Sequence, residues 1–133
     1  MKNSTTWLRI SFWVGAIADG LVALAMFSEM FVGHASPLTH YVPDFPYRYA
    51  VGLAGSLMLG WTVLLLWACR KPAERRDVLL LTCVVVVALM ITGLFGITVG
   101  YVPFGAGVAV LAFQGLLIIL FGSSYLASKR QHS

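Results

Sequence analysis

Four long apolar runs, 10–32, 49–69, 78–100 and 104–126, take up most of this 133-residue chain. A helix needs about 20 mostly apolar residues to cross the hydrocarbon core of a bilayer. The last three runs hold no charged residue, and the first holds only Asp19 and Glu29. Charged residues make up 11% of the whole chain, against about a quarter in a soluble domain. Too little remains outside the runs for a separate globular unit. The predicted fold is therefore all-α, one domain over 1–133: an integral membrane four-helix bundle running up-down-up-down.

The basic residues set the expected orientation. Lys2 and Arg9 precede the first run, Arg70, Lys71, Arg75 and Arg76 lie between the second and third, and Lys129 and Arg130 follow the fourth. If the chain crosses four times, all of these fall on one side and only Arg48 falls on the other. An excess of Lys and Arg in short loops marks the cytoplasmic face, so both termini are expected to be cytoplasmic. So strong a bias also argues against insertion in two opposite orientations. The net charge of +4 reads as topology and contact with anionic headgroups, not as a nucleic-acid surface. The first run is too long, and carries Asp19 too centrally, to read as a cleaved signal peptide.

The links carry turn chemistry. A residue before proline avoids the α region, so Lys71-Pro72 should end the second helix, with Pro72 at the first position of the third. Gly100 should stop the third helix and Pro103 start the fourth. The one long link, 33–47, holds Pro37, Pro43 and Pro46 and reads as an irregular segment. Trp7, Trp13, Trp67 and Tyr125 toward one interface, and Tyr41, Tyr47, Tyr49, Tyr101 and Phe104 toward the other, form the aromatic belts of a spanning protein. Cys69 and Cys83 flank the basic link without a C-x-x-C spacing and read as small apolar fillers.

Few polar groups remain that could carry chemistry. Asp19 lies near the middle of the first run. At about 100° per residue it shares a face with Phe12, Gly15, Ala16, Ala23, Met26 and Met30, opposite Ile10, Val14, Ile17, Leu21 and Leu24. Small residues pack between helices, so Asp19 should point into the bundle. Placing an ionised carboxylate there costs on the order of 2.5–3.5 kcal/mol on insertion scales. Acids that persist in such positions act as proton or cation relays or ligand anchors, or sit neutral and hydrogen-bonded between helices. Gln114, near the middle of the fourth run, is the expected partner at that depth, ahead of Thr62 and Thr92. Glu29 and Arg48 fall toward the opposite interface and are expected to form an ion pair at the outer mouth. His34, His40 and Asp44 lack the spacing of a metal site, and no metal or cofactor is expected. Gly52, Ser56 and Gly60 recur every four residues and mark a close-packing face.

The segment Gly60-Trp61-Thr62-Val63-Leu64-Leu65-Leu66-Trp67-Ala68 with the following Arg70-Lys71-Pro72-Ala73-Glu74-Arg75-Arg76 resembles strings in small four-span bacterial membrane proteins. The resemblance covers the second run and the basic link. It implies a bacterial inner-membrane location and no activity.

The expected function is that of a non-enzymatic inner-membrane protein binding or passing a small ligand, proton or lipid at Asp19. The alternative is an accessory subunit in which Asp19 only fixes helix packing. A lipid-modifying enzyme using Asp19 and Glu29 is the weaker reading, since the two lie at different depths and no nucleophile elbow, phosphate loop or metalloprotease motif accompanies them. The expected surroundings are the lipid bilayer and, on the small-residue faces, a second copy of the chain or another membrane protein.

Overall fold

The computed structural model describes residues 2–32 and 44–130, with side chains from 5 and up to 129. Four helices account for nearly all of it: α1 (Lys2–Val32), α2 (Phe45–Cys69), α3 (Asp77–Thr98) and α4 (Phe104–Arg130). Each is long and apolar enough to cross a membrane. Apolar residues run around the whole circumference of each helix, as in helices that do not face water.

The helix ends follow local chemistry, and here the structure departs from expectation. Asp44 caps α2, its Oδ1 accepting from the Tyr47 backbone N–H at 2.9 Å, and a proline follows in the first turn. So α2 starts at Phe45, inside the segment expected to be irregular, because a capped N-terminus with proline at its first positions costs little. Pro72 does not open α3. It is buried in a turn that spans residues 70–76, and α3 begins only at Asp77. The turn closes on itself: the Arg75 N–H donates to the Lys71 carbonyl at 3.2 Å, and the Val78 N–H to the Arg75 carbonyl at 3.1 Å. The link between α3 and α4 matches its expected chemistry. Gly100 sits at φ 74, a conformation that costs glycine little. The Tyr101 and Val102 N–H groups both return to the Gly96 carbonyl, and α4 follows Pro103 directly.

α1 packs against α2 and α4, and α3 packs against α4; no comparable packing joins α1 to α3 or α2 to α4. The α1–α2 contact is built on glycines. A Cβ on Gly52 would lie 2.5 Å from the Met30 sulfur, and one on Gly55 would lie 3.2 Å from Met26 Cβ. On the same seam Gly20 faces Thr62 and Gly15 faces Leu65, so partner numbers fall along α2 as they rise along α1. The α3–α4 contact is built the same way, with Gly107 against Ile97 and Gly93 against Leu111.

The buried core is not spread evenly along these helices. Its cluster is Leu8, Phe12 and Ala16 of α1, Leu65 and Ala68 of α2, Leu79 of α3, and Leu117 and Phe121 of α4. All four helices meet there, next to the basic residues; this is the basic end of the molecule. Half-buried Cys69 and Cys83 pack against the cluster as free thiols. Past Val86 on α3 and before Leu117 on α4, the one buried residue is Gly107, which packs within its own hairpin. Val110 shares the α4 face of Leu117 and Phe121 but is 37% exposed. The α1–α2 and α3–α4 hairpins are joined at the basic end and have little packed between them toward the other.

Candidate functional site

The α1 face turned to its neighbours carries Leu8, Ser11, Phe12, Gly15, Ala16 and Ala23, all buried. Asp19 falls at the centre of that face by helical spacing. Phe12 below it is 0% exposed and Ala23 above it 1%, yet Asp19 itself is only half-buried. The residue at the middle of this packed stripe is thus left partly uncovered. Asp19 lies where the four-helix core gives way to the less packed half.

Gln114 lies on α4, which packs against α1. It continues the stripe of Ser124, Phe121 and Leu117 by helical spacing. Its Oε1 is buried and has no hydrogen-bond partner. A buried acceptor without a donor costs about 1–3 kcal/mol, so this oxygen is placed to receive a proton-bearing group. The register of the seam is set nearer the basic end, where Ser11 and Ser124 share a buried hydrogen bond of 2.7 Å and Gly15 faces Phe121. Counting turns from there, Asp19 meets the level of Leu117, and Gln114 lies about one turn further. The structure brings both candidates to the same seam.

The other candidate partners are engaged elsewhere. Thr62 Oγ1 donates to the Met58 carbonyl at 2.9 Å, and Thr92 Oγ1 to the Ala88 carbonyl at 3.0 Å. Both hydroxyls bond back into their own helix, a common use of threonine there. Thr92 is also exposed.

The ion pair expected between Glu29 and Arg48 is not the contact the structure makes. Arg48 donates through Nε to the Met30 carbonyl at 2.8 Å and through Nη2 to the Phe31 carbonyl at 3.0 Å. The last turn of a helix leaves carbonyls without intrahelical donors, and a guanidinium with several fixed donors satisfies two of them. Glu29 instead accepts from the Tyr47 hydroxyl at 3.1 Å. Arg48 and Glu29 remain neighbours that tie α1 to α2, each through a different partner. Of the loop side chains considered for a metal, Asp44 is the α2 cap, and His34 and His40 lie outside the described residues. Among the described residues no group of three or more His, Cys, Asp or Glu side chains converges.

Other contacts went unpredicted. Trp61 Nε1 donates to Thr82 Oγ1 at 3.2 Å and links α2 to α3. The Arg75 guanidinium stacks on the Trp67 ring, 3.3 Å from its centroid, and also donates to the Trp67 carbonyl. The Ser11–Ser124 pair had a faint signal: Ser124 and Ser128 lie three and seven residues beyond Phe121, on its helix face. Both are buried. Comparison with known protein families, curated proteins and solved structures finds no match to this chain.

Proposed function

We propose that this is a multi-pass membrane protein of the bacterial inner membrane, up-down-up-down with both termini cytoplasmic, that binds or passes a proton or small cation at Asp19. The carrying observation is the setting of Asp19. It occupies the centre of a packed helix face but is left partly uncovered, and it lies on the same seam as the unpartnered Gln114 oxygen. A carboxylate supplies the charge that holds a cation, and a neighbouring amide oxygen supplies a second, neutral ligand or an acceptor for the acid proton. The looser half of the bundle, beyond Val86 and before Leu117, offers the route by which such a species arrives. Four apolar helices support the membrane reading, and the one-sided basic residues support the orientation.

A second reading is favoured by the direct α1–α4 packing: Asp19 only fixes the packing of α1 against its neighbours in an accessory subunit. Flux into proteoliposomes under proton and alkali-cation gradients separates the two, with wild type and Asp19→Asn reconstituted at matched levels. Transport by wild type and its loss in a folded Asp19→Asn protein is the expected result. Absence of flux in wild type, or equal flux in both proteins, overturns the relay.

A further inference from the structure

We propose that the groove between α1 and α2 at the basic end is a binding site for the phosphate of an anionic phospholipid. The groove, of about 340 Å³, is lined by Arg9 and Trp13 of α1, Leu66 and Cys69 of α2, and Arg70 just beyond α2. Two arginines from different segments thus line one groove. Neither has a carboxylate beside it: the ion pair made among the described residues is Lys71–Glu74. Neither side chain donates to a backbone carbonyl, in contrast to Arg48 and Arg75, whose guanidinium groups are satisfied within the protein. Two exposed arginines lining one groove, with no acid paired to either, present a positively charged site to an anion. Guanidinium is the side chain best matched to phosphate oxygens, which it can hold with two parallel hydrogen bonds.

The walls distinguish a lipid from a dissolved phosphate. Trp13 is 53% exposed and Leu66 is 39% exposed. Both lie one turn or more from the arginines in the direction of the apolar runs. A phosphodiester seated between Arg9 and Arg70 would lay its acyl chains along Trp13 and Leu66. Basic pockets between helices near a charged membrane surface are suited to such headgroups. This site is at the opposite end of the seam from the less packed half and does not depend on the role proposed for Asp19.

The test uses the full chain in a neutral detergent, titrated with phosphatidylglycerol or phosphatidylcholine and followed by thermal stability. Phosphatidylglycerol is expected to raise the melting temperature where phosphatidylcholine does not, and Arg9→Gln with Arg70→Gln is expected to weaken the apparent affinity at least fivefold. Lys71→Gln with Lys129→Gln removes the same charge from residues that do not line the groove and is expected to leave the affinity within twofold. In wild type, which needs no altered arginine, phosphatidylglycerol brominated on its chains is expected to quench tryptophan fluorescence more than brominated phosphatidylcholine, with the difference lost in Trp13→Phe. Equal weakening by both double variants would show diffuse attraction and overturn the site. So would an equal effect of inorganic phosphate at the same concentration, no preference for phosphatidylglycerol, or a quenching difference that survives in Trp13→Phe.

Discussion

Gly55 and Gly60 lie on the same helix and meet different surroundings. A Cβ at Gly55 would press on Met26 Cβ at 3.2 Å with the Ala23 carbonyl oxygen at 3.7 Å behind it, whereas one at Gly60 would meet nothing within 4 Å. Glycine inside a helix costs about 1 kcal/mol relative to alanine. Gly60→Ala is therefore expected to leave detergent thermostability unchanged or raise it. Gly55→Val, whose branched side chain cannot retreat from the α1 backbone, is expected to lower it by an amount corresponding to about 2 kcal/mol. Equal effects of the two substitutions would contradict the α1–α2 seam. At the same scale, Ser11 and Ser124 share a buried hydrogen bond. A double-mutant cycle with alanine at both positions is expected to show coupling of about 0.6 kcal/mol, the typical value for a hydrogen bond between membrane helices. Coupling near zero would remove that bond from the α1–α4 register.

Elements are held at their ends as well as along their faces. Arg48 reaches from the first turn of α2 to two carbonyls in the last turn of α1. Bonds from charged donors are worth about 1.5–3 kcal/mol when buried, and this partly exposed pair is worth less. Arg48→Ala is expected to speed hydrogen exchange at residues 29–32 and to lower stability by about 1 kcal/mol. Glu29→Ala should leave those amides unaffected. The charge reversals of Glu29 and Arg48 are expected to add independently, within about 0.5 kcal/mol, because the two side chains bond to different partners. Recovery of stability in the doubly reversed protein would restore the direct ion pair.

For the whole molecule, the uneven core makes a cross-linking prediction. In a Cys69→Ala, Cys83→Ala background, the Ser11→Cys and Ser124→Cys pair should form a disulfide readily, since the two hydroxyl oxygens are 2.7 Å apart. Met26→Cys with Val110→Cys, which the Ser11–Ser124 register places level with each other, should cross-link poorly, because Val110 is left 37% exposed. Efficient cross-linking of the second pair would show the hairpins packed along their full length. The proposed orientation is tested by reporter fusions: those placed after Leu126 should read cytoplasmic and those within 37–44 external, and the reverse pattern would overturn it.

Hydropathy alone determined that there are four helices long and apolar enough to span a bilayer, because twenty apolar residues in a row leave the chain few other ways to satisfy its backbone. Helical spacing placed Asp19 on the small-residue face for the same local reason. Helix ends were less legible. A basic stretch containing proline specified a break at Lys71-Pro72, but not that the chain would spend residues 70–76 in a turn before α3 begins. The expected packing face of α2, Gly52, Ser56 and Gly60, also shifted. Gly52 and Gly55 carry the contact while Ser56 and Gly60 are exposed, because the crossing of α1 over α2 selects which glycines come close. Only the tertiary structure decided that Arg48 bonds carbonyls instead of Glu29, that Gln114 Oε1 is buried without a donor, and that Arg9 and Arg70 share one groove. Each of these depends on how two helices are rotated and shifted against each other. That choice is made by the sum of many small contacts along the seam, and no single run of residues encodes it.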